Sequence, residues 1–306
     1  MPPSTILRQL LFVLNPVSGD IDKGDLEEEL TAFCTERGRT AAFFYTTGED
    51  DLDKLRAHLA DHSYDAVFAA GGDGTVKLVA EALLGSDLLL GILPLGSGNG
   101  LSKDLGIPQD LEAARQLIWD YQVREIDTME VGGHFSAHLA DLGFNALVVE
   151  RFCSGDTRGP GAYIRIAMQE YMNYEPCTYR IETDRETYEG PAFMLTIANA
   201  NTFGSNVVIN PDSDLDDGEF EVCLIEPFPV TAGIGILYQL YTNAFDASTY
   251  TRRMRCRRAS ISVPGQQQVL AQVDGEPIEL TLPIEVVIHP RSLRVLTPVP
   301  QPEEQE

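Results

Sequence analysis

Several features that would assign a protein class at once are scarce or missing in this sequence. It has no apolar run near the roughly 20 residues that span a bilayer, and its start, Met1 to Ser4, lacks the basic segment of a secretory signal. The five cysteines are scattered and form no CxxC pair, which argues against a disulfide framework or a structural zinc site. These absences predict a soluble, cytoplasmic protein.

Positive charge is also scarce. There are 22 Lys and Arg against 47 Asp and Glu, which gives a net charge of −25 and argues against nucleic-acid binding through a basic field. Only four of the basic residues are lysines. An acid-rich, lysine-poor surface suits a salt-rich cytoplasm, where screening removes the self-repulsion. The alternative is a protein that is merely acidic.

The first third of the chain alternates short apolar runs with helical patterns. The runs predicted to be strands are Ile6–Leu14, Ala41–Tyr45, Ala66–Ala70 and Leu88–Leu93. The segments predicted to be helices are Leu26–Arg37, Asp51–Asp61, Val76–Leu84 and Asp110–Tyr121. Strand–helix alternation of this kind predicts a mainly parallel sheet that is covered on both faces.

From about Ile126 the pattern changes to short β-branched and aromatic runs separated by turn residues. The clearest runs are Phe193–Ala198, Phe220–Ile225, Ala259–Val263 and Ile284–His289. They predict an antiparallel β-sandwich with helical insertions near 161–174 and 231–245. We therefore expect an α/β domain over 1–125 and a sandwich domain over 126–297, whose last strand is a candidate to return to the first domain. The tail, 298–306, is expected to be disordered.

One glycine-rich turn follows a predicted buried strand directly. Gly71-Gly72-Asp73-Gly74-Thr75 lies between that strand and a helix, and such a unit surrounds an anion with backbone N–H groups and a helix N-terminus. Glycine allows the backbone to approach phosphate oxygens closely. Asp73 can meet a magnesium ion or a substrate hydroxyl, and Thr75 can cap the helix or bind phosphate. The alternative is a tight turn in which Asp73 only caps the helix.

Two further glycine-rich turns follow other predicted strands. Residues 93–100 (LPLGSGNG) come after the fourth strand, and residues 14–19 (LNPVSG) come after the first. Open α/β sheets bind ligands at the carboxyl ends of their strands, so three such turns can surround one nucleotide. The pattern is neither a Walker A loop nor a GxGxxG fingerprint.

These three turns, in this order, resemble the signatures of the diacylglycerol kinase/sphingosine kinase family, and of its bacterial diacylglycerol kinase-like lipid kinases in particular. Two later segments extend the resemblance. Residues 210–218 (NPDSDLDDG) are similar to the family's Pro-x-Ala-x-Leu-Asp-Asp-Gly segment, and residues 273–276 (VDGE) to its Asp-Gly-Glu strand end. The resemblance therefore covers roughly residues 6–297.

The resemblance implies a fold and an activity. The fold is an N-terminal α/β domain of the phosphofructokinase/NAD kinase type, followed by a β-sandwich domain. The activity is transfer of the γ-phosphate of ATP to a lipid hydroxyl, with ATP and Mg²⁺ as cofactors and diacylglycerol or a related lipid as the expected acceptor. The alternatives are an NAD kinase-type enzyme, which shares Gly-Gly-Asp-Gly-Thr, and a catalytically silent lipid-binding relative.

The resemblance also implies roles for individual residues. The predicted nucleotide-binding residues are Asn15, Ser18, Thr46, Thr47, Gly71, Gly72, Gly74, Thr75, Gly96, Ser97, Gly98, Asn99, Arg158 and Arg165. The acid that activates the lipid hydroxyl is Asp73 or Glu276, with Asp274 beside the latter, and the sequence leaves this choice open. The predicted ligands of a structural magnesium are Asp214, Asp217 and Glu219. A solvated acidic loop is the alternative for that segment.

The predicted acceptor site departs from the family pattern at one position. Where the family often has Gly-Phe-Asp-Ala, this chain has Gly143-Phe144-Asn145-Ala146. Asn145 keeps the capacity for hydrogen bonds and lacks the charge, while Asp141 either compensates for it or faces the core. This departure disfavours a sphingoid acceptor, which carries an ammonium group, and favours a neutral one such as diacylglycerol.

Basic residues cluster at one place in the chain, residues 252–258 (RRMRCRR). On a strand, Arg253, Arg255 and Arg257 share one face, and such a face can meet anionic lipid head groups. Neutralisation of acidic neighbours within the protein is the interpretation we favour. A lipid acceptor implies transient peripheral contact with the inner membrane face, and a homodimer is an open option. We expect no nucleic-acid partner.

Overall fold

The computed structural model describes residues 6–16, 23–155, 160–203 and 207–300, so residues 301–306 of the predicted tail lie outside it. The chain divides into two compact units, one of residues 1–126 with 292–306 and one of residues 127–291. The helices are α1 (Lys23–Thr35), α2 (Asp51–Asp61), α3 (Asp73–Leu83), α4 (Gly100–Asp104), α5 (Leu111–Ala114), α6 (Phe144–Ser154), α7 (Pro160–Tyr171) and α8 (Val230–Tyr241). Among the described residues, no helix is both long and apolar enough to cross a bilayer.

The strands are β1 (Gln9–Leu14), β2 (Thr40–Tyr45), β3 (Ala66–Gly71), β4 (Leu89–Pro94), β5 (Gln122–Val131), β6 (His134–Ser136), β7 (Leu139–Gly143), β8 (Cys177–Thr183), β9 (Thr187–Ala192), β10 (Met194–Ala198), β11 (Phe220–Ile225), β12 (Thr251–Cys256), β13 (Arg258–Ser262), β14 (Gln268–Val273), β15 (Glu276–Thr281) and β16 (Ile284–Thr297).

The first unit contains a parallel sheet with the strand order β2-β1-β3-β4. Every residue of β3 and β4 is buried, which agrees with their continuous apolar sequences, because a strand covered on both faces needs no polar alternation. Val295, near the end of β16, pairs in parallel with Leu90 of β4. The predicted parallel α/β domain is confirmed.

A row of aromatic rings fits the register of this sheet. Phe12 of β1 lies opposite Phe43 of β2 and Phe68 of β3, with ring centroids 5.6 and 5.2 Å away. The next position in the row is Gly91 of β4, where an added Cβ would collide with the Phe68 ring. The Phe68 ring therefore occupies the space that a side chain at position 91 would need, and the sheet face stays closely packed.

The second unit is an antiparallel β-sandwich. One sheet has the strand order β12-β11-β10-β7-β14-β15. In the other sheet, β13 lies between β8 and the first part of β16, and β9 pairs with β8. One core contains buried side chains from both sheets, among them Phe220 and Leu195 from the first and Tyr179, Ile261 and Val286 from the second. The sandwich predicted from the short β-branched runs is confirmed.

The structure corrects the sequence prediction at three elements. Segment 110–121 is not one helix, because α5 ends at Ala114 and a 3₁₀ turn, Arg115–Ile118, follows. The prediction missed α6, whose sequence FNALVVERFCS is rich in strand formers; packing of its buried face overrides that local preference. The predicted run Ile284–His289 is only the first part of β16, which continues through Pro290 to Thr297.

Candidate active site

Two glycine-rich loops lie against each other where β3 and β4 end. The carbonyl of Gly71 accepts a hydrogen bond from Leu95 N at 2.9 Å. Beyond it, the backbones of Gly72 and Gly96 are in contact, since a Cβ added to Gly96 would lie 2.5 Å from Gly72 Cα. A side chain at Gly96 would therefore separate the loops, and glycine is required there by close approach.

Asp73 joins the two loops through its carboxylate. Its Oδ1 accepts a hydrogen bond from Gly100 N at 2.8 Å, and its Oδ2 accepts one from Asn99 N at 3.0 Å. These N–H groups stand at the start of α4, so the carboxylate caps that helix rather than α3, whose own N-cap is Gly72. Gly98 lies alongside, and a Cβ there would come within 2.5 Å of Asp73 Oδ2.

Asn99 holds the second loop in shape. It has a left-handed backbone, with φ 52°, which asparagine adopts more readily than most residues. Its Oδ1 accepts a hydrogen bond from Gly96 N at 3.1 Å, and its Nδ2 donates to Gly96 O at 2.8 Å. The Asn99 side chain thus organises the loop, while Ser97 in the same loop is exposed.

A cavity of about 530 Å³ opens beside this second loop. Its lining includes Gly96, Ser97, Asn99, Lys103, Gln109 and Asp110. Lys103, on α4, brings a cation to the cavity, and an ammonium group suits phosphate oxygens as a point charge. Lys103 was not among the predicted site residues. The available signal was a rare lysine placed three positions after the GSGNG turn.

The other predicted nucleotide residues of the first unit have different surroundings. Asn15 directly follows β1, and Thr46 lies next to that strand end, where its N–H donates to Leu14 O at 3.0 Å. Thr47 is engaged locally, because its hydroxyl donates to Asp51 Oδ1 at 2.9 Å at the start of α2. A backbone hydrogen bond therefore holds Thr46 beside the end of β1, whereas a side-chain contact holds Thr47 at the start of α2.

Thr75 and Gly71 pack together at the start of α3. Thr75 is buried, and its N–H donates to Gly72 O at 3.0 Å. An added Cβ on Gly71 would collide with the Thr75 hydroxyl, whereas Gly74 is exposed. Two of the predicted nucleotide residues, Ser18 and Arg158, lie outside the described residues. Arg165 is exposed on α7 in the second unit.

In the second unit, Asp141 and Asn145 belong to one buried hydrogen-bond network, which we call the Asp141 network. The fully buried carboxylate of Asp141 accepts hydrogen bonds from Thr196 Oγ1, from Gln272 Nε2 and, at 2.5 Å, from Asn145 Nδ2. Asn145 Oδ1 accepts in turn from the hydroxyl of Tyr163 on α7. The predicted acceptor-site pair is therefore brought together, with three partners that the sequence did not reveal.

The Asp141 network extends to the Asp-Gly-Glu turn. Gln272 lies opposite Asp141 in the β14–β7 register, and its Oε1 accepts a hydrogen bond from Gly275 N at 2.6 Å. Gly275 has φ +86°, a conformation that favours glycine. The residue just before Glu276 is thus tied to a side chain that also holds Asp141.

Burial raises the pKa of Asp141 to about 6, because the charged form loses its hydration in the interior. The hydrogen bonds from Thr196, Asn145 and Gln272 and the nearby His138 act in the opposite direction. Desolvation wins, so the network contains a carboxyl group that changes charge at a pH about two units higher than an exposed aspartate.

The two acids of the Asp-Gly-Glu turn have different environments. Asp274 is buried, with φ 51°, and its carboxylate accepts hydrogen bonds from Ser136 Oγ at 2.7 Å and from the N–H groups of residues 137–139 at 2.9, 3.2 and 3.0 Å. Burial raises the pKa of Asp274 above its ordinary value, although these donors oppose the shift. Glu276, which begins β15, is exposed. Asp274 therefore organises the turn, and Glu276 presents the accessible carboxyl group.

The acidic loop 212–219 is bound to arginines. Asp217 pairs with Arg255. Glu219 pairs with Arg185, with Arg255 Nε at 2.6 Å and with Arg257 Nε at 3.2 Å. Burial acts to raise the pKa of Glu219, but the hydrogen bond from Arg185 and the charges of the three arginines lower it overall. This segment is an ion-pair cluster rather than a solvated loop.

These contacts bear on the predicted magnesium ligands Asp214, Asp217 and Glu219. Two of the three carboxylates are ion-paired with arginines, and the described residues contain no group of three or more His, Cys, Asp or Glu side chains placed to hold a metal ion. In this structure, arginines rather than a cation engage Asp217 and Glu219, and the magnesium assignment stays a prediction. The loop is also held by buried Asp127, which accepts hydrogen bonds from Gly218 N at 2.6 Å and Arg291 N at 2.7 Å.

Four of the five arginines in the segment 252–258 form ion pairs. In addition to the pairs of Arg255 and Arg257, Arg252 pairs with Glu186 at 2.8 Å, and Arg253 pairs with Asp246. These ion pairs favour the interpretation that the segment neutralises acidic neighbours within its own unit.

Comparison with known proteins connects the two units to one family. Residues 9–131 match the diacylglycerol kinase catalytic domain, and residues 140–297 match the YegS C-terminal NAD kinase beta sandwich-like domain. The first match contains both glycine loops, and the second contains the Asp141 network and the Asp-Gly-Glu turn.

Individual relatives agree with these matches. The chain is 28% identical over 248 residues to a probable lipid kinase YegS-like of Stenotrophomonas maltophilia, covering 76% of this chain and 79% of that protein. It is 26% identical over 298 residues to a diacylglycerol kinase of Bacillus subtilis, covering 95% and 97%. A diacylglycerol kinase structure from Bacillus anthracis shares the fold, with a TM-score of 0.74 at 18% identity, over 96% of this chain and 98% of that one.

Proposed function

Because this chain belongs to the lipid kinase family that joins a diacylglycerol kinase catalytic domain to a YegS-type sandwich domain, we propose that it transfers the γ-phosphoryl group of Mg-ATP to the hydroxyl of diacylglycerol or a closely related neutral lipid. The observation that carries the proposal is the contact of Gly72 with Gly96, joined by the Asp73 carboxylate. This arrangement places glycine backbone and the N-terminus of a helix together at one edge of the sheet. Backbone N–H groups and a helix N-terminus are suited to bind phosphate.

In the proposed reaction, the lipid hydroxyl oxygen attacks the γ-phosphorus. The bond from that phosphorus to the β–γ bridging oxygen breaks, ADP leaves with the oxygen, and the hydroxyl proton passes to a carboxylate. Such a transfer depends mainly on positioning and on stabilisation of charge. The glycine loops and the Lys103 ammonium group are the parts of the first unit that would hold the phosphate oxygens.

We assign the proton acceptor to Glu276. Both carboxylate oxygens of Asp73 already accept backbone N–H groups, and those of Asp274 accept four donors in a buried turn. These donors fix the orientation of both carboxylates, and Asp274 is also buried. Glu276 is exposed, so a hydroxyl can reach it within hydrogen-bond distance, as a general base must. Asp73 and Asp274 then act as positioning residues.

The choice of a neutral acceptor rests on the Asp141 network. Asp141 has no exposed surface, and its oxygens are taken by Thr196, Asn145 and Gln272. Its carboxylate is therefore not available to an ammonium group, and Asn145 carries no charge to replace it. This supports diacylglycerol over a sphingoid base as the acceptor.

The acceptor can be identified with labelled ATP, Mg²⁺ and a panel of diacylglycerol, phosphatidylglycerol, sphingosine, ceramide and NAD. We expect the label in diacylglycerol. Label found only in NADP would assign the protein to NAD kinase chemistry, and label in sphingosine would show that Asn145 does not exclude an ammonium group. No label in any acceptor would point to a silent lipid-binding relative.

The role of Glu276 has a matched control on its own strand. Glu276→Gln keeps the shape and removes the base, so we expect kcat to fall by about 10² to 10⁴, with an unchanged melting temperature. Glu279 is also exposed on β15, and Glu279→Gln should keep full activity. Equal activity of the two variants would remove Glu276 from the role and leave Asp73 as the remaining acid.

A further inference from the structure

Helix α8 has an apolar face that remains exposed. On its inner side, Ile236 and Leu240 are buried in a small core with Phe245. The exposed large apolar residues of the helix are Val230, Ile234, Leu237, Tyr238 and Tyr241. Their spacing of four, three, one and three residues places them on one side of a helix. Ile234 is the most exposed of the five, at 81%.

Helix α7 has a second stripe of this kind. Ile164 and Met168 are exposed on it, and exposed Met172 follows one position after its end, with a spacing of four residues that keeps them on one side. The elements are neighbours, because the ring centroids of Tyr171, at the end of α7, and Phe228, two residues before α8, are 6.0 Å apart. We call the eight exposed residues of the two stripes the α7–α8 surface.

This surface differs from the rest of the chain in composition. Helix α8, VTAGIGILYQLY, contains no charged residue, although the chain carries a net charge of −25. More than half of the exposed large apolar side chains among the described residues belong to the α7–α8 surface. A helix that is apolar on all sides is normally covered, and concentrated apolar exposure marks a surface that binds something.

We propose that the α7–α8 surface inserts into the head-group and upper acyl region of a lipid bilayer. At 12 residues, α8 is about 18 Å long, which is well short of the roughly 30 Å hydrocarbon core, so it would lie along the interface. Tyr238 and Tyr241 combine an apolar ring with a polar hydroxyl, and such side chains are typical of the membrane–water boundary.

A second copy of the chain is the other candidate occupant, and charge argues against it. Two chains of net charge −25 repel each other unless salt screens them, whereas a zwitterionic bilayer has no net charge with which to repel the protein.

Charge also predicts the kind of lipid. The arginines at 252, 253, 255 and 257 are paired with acids, so binding should depend on apolar insertion and not on anionic head groups.

The inference rests on the proposed function in one respect, since a lipid acceptor is what brings a kinase to a bilayer. The binding itself needs neither ATP nor phosphoryl transfer, so it is measured without them. We therefore suggest flotation of the full chain with phosphatidylcholine vesicles, at low and at molar salt, together with the kinase assay on a short-chain acceptor that is dissolved in water.

The decisive variant is Ile234→Gln/Leu237→Gln. Glutamine has nearly the same helix propensity as leucine, and both positions are exposed, so the fold should be unaffected. We expect vesicle binding to weaken at least about tenfold, because two large side chains no longer enter the apolar layer. Met168→Gln should weaken binding by a smaller factor. Leu84→Gln, which changes an exposed leucine of the first unit, should bind vesicles like the wild type.

The expected pattern is binding to neutral vesicles that salt leaves unchanged or strengthens, loss of binding in the α8 variant, and equal activity of both proteins on the dissolved acceptor. Absence of wild-type binding, or equal binding by the α8 variant and the Leu84→Gln control, would overturn the inference. A wild-type dimer that the α8 variant converts to a monomer would also overturn it, in favour of a second copy. Vesicle binding without any kinase activity would instead contradict the proposed function alone.

Discussion

In the first unit, the two glycine-rich loops meet through a direct backbone contact, which the Asp73 carboxylate bridges. Gly72 touches Gly96, and the Asp73 carboxylate bonds two N–H groups. In the second unit, the turn that carries Glu276 is held by side chains, through Gln272 and the buried carboxylate of Asp141. The contact of Gly72 with Gly96 has no room for an added atom. A buried polar network can be broken by losing one partner, and it responds to pH.

The largest effect is expected from Gly96→Ala. The added Cβ would lie 2.5 Å from Gly72 Cα, and backbone cannot move aside as a side-chain end can. We expect a loss of about 3 kcal/mol of unfolding free energy and about 100-fold of kcat, because the loops shift on the scale of 1 Å. Gly161→Ala on α7, where a Cβ meets nothing within 4 Å, should leave both unchanged. Full activity in Gly96→Ala would show that loop contact is not needed.

A pH effect of similar size is expected from Asp141. Its pKa is raised from 3.8 to about 6 in the folded state, so the folded protein binds this proton more tightly than the unfolded chain. Stability should therefore fall as pH rises from about 4 to about 6, by roughly 2 to 3 kcal/mol. Chemical denaturation of wild type and Asp141→Asn across this range tests it, because the difference between the two curves isolates the group. Parallel curves would mean that burial does not control this carboxyl.

A smaller loss is expected when Gln272 is replaced. Gln272→Leu leaves Gly275 N without its acceptor and Asp141 without one donor in a buried site, which should cost about 2 kcal/mol. Gln268→Leu, at an exposed position of the same strand, should cost almost nothing. If the network positions Glu276, kcat should also fall in Gln272→Leu while KM for ATP stays constant. A change in stability without a change in kcat would restrict the network to a structural role.

The smallest effect is expected in the ion-pair cluster of the acidic loop. Arg255 contacts three carboxylates, those of Asp217, Glu219 and Glu221, and two of these are nearly buried. Arg255→Gln should therefore cost about 1 kcal/mol, whereas Arg252→Gln, which removes an exposed pair with Glu186, should cost only a few tenths. Molar salt should reduce the difference in melting temperature between the two variants. Stabilisation of the wild type by added Mg²⁺, with none in the presence of chelator, would instead indicate a cation in this loop.

Much of the fold was predictable because local sequence patterns indicate helices and strands directly. The helix α2 and the strand β11 were predicted at their observed bounds, since strand and helix periods differ plainly there. Helix α6 was missed because its β-branched residues are typical of strands, and packing decided otherwise. The glycine loops could be recognised from sequence, because glycines directly after a buried strand are typical of turns that approach phosphate closely.

The rest of the site could not be predicted for a physical reason. Tyr163, Thr196 and Gln272 contact Asp141 or Asn145 from distant parts of the chain, and no local spacing connects them. Lys103 could have been noticed as a rare lysine next to a glycine turn. The exposure of Ile234 could not have been predicted, because the sequence of an apolar helix does not show whether the helix is buried or exposed.

The amino-acid sequence by itself determined the two-part architecture and the glycine-rich loops, because strand–helix alternation and glycine at strand ends are local properties of the backbone. Tertiary structure alone decided what the acidic residues do. Asp73 became a bridge between loops, Asp141 a buried carboxyl with a raised pKa, and Asp217 the partner of an arginine. The charge, hydrogen bonds and accessibility of a carboxylate depend on what folding places around it.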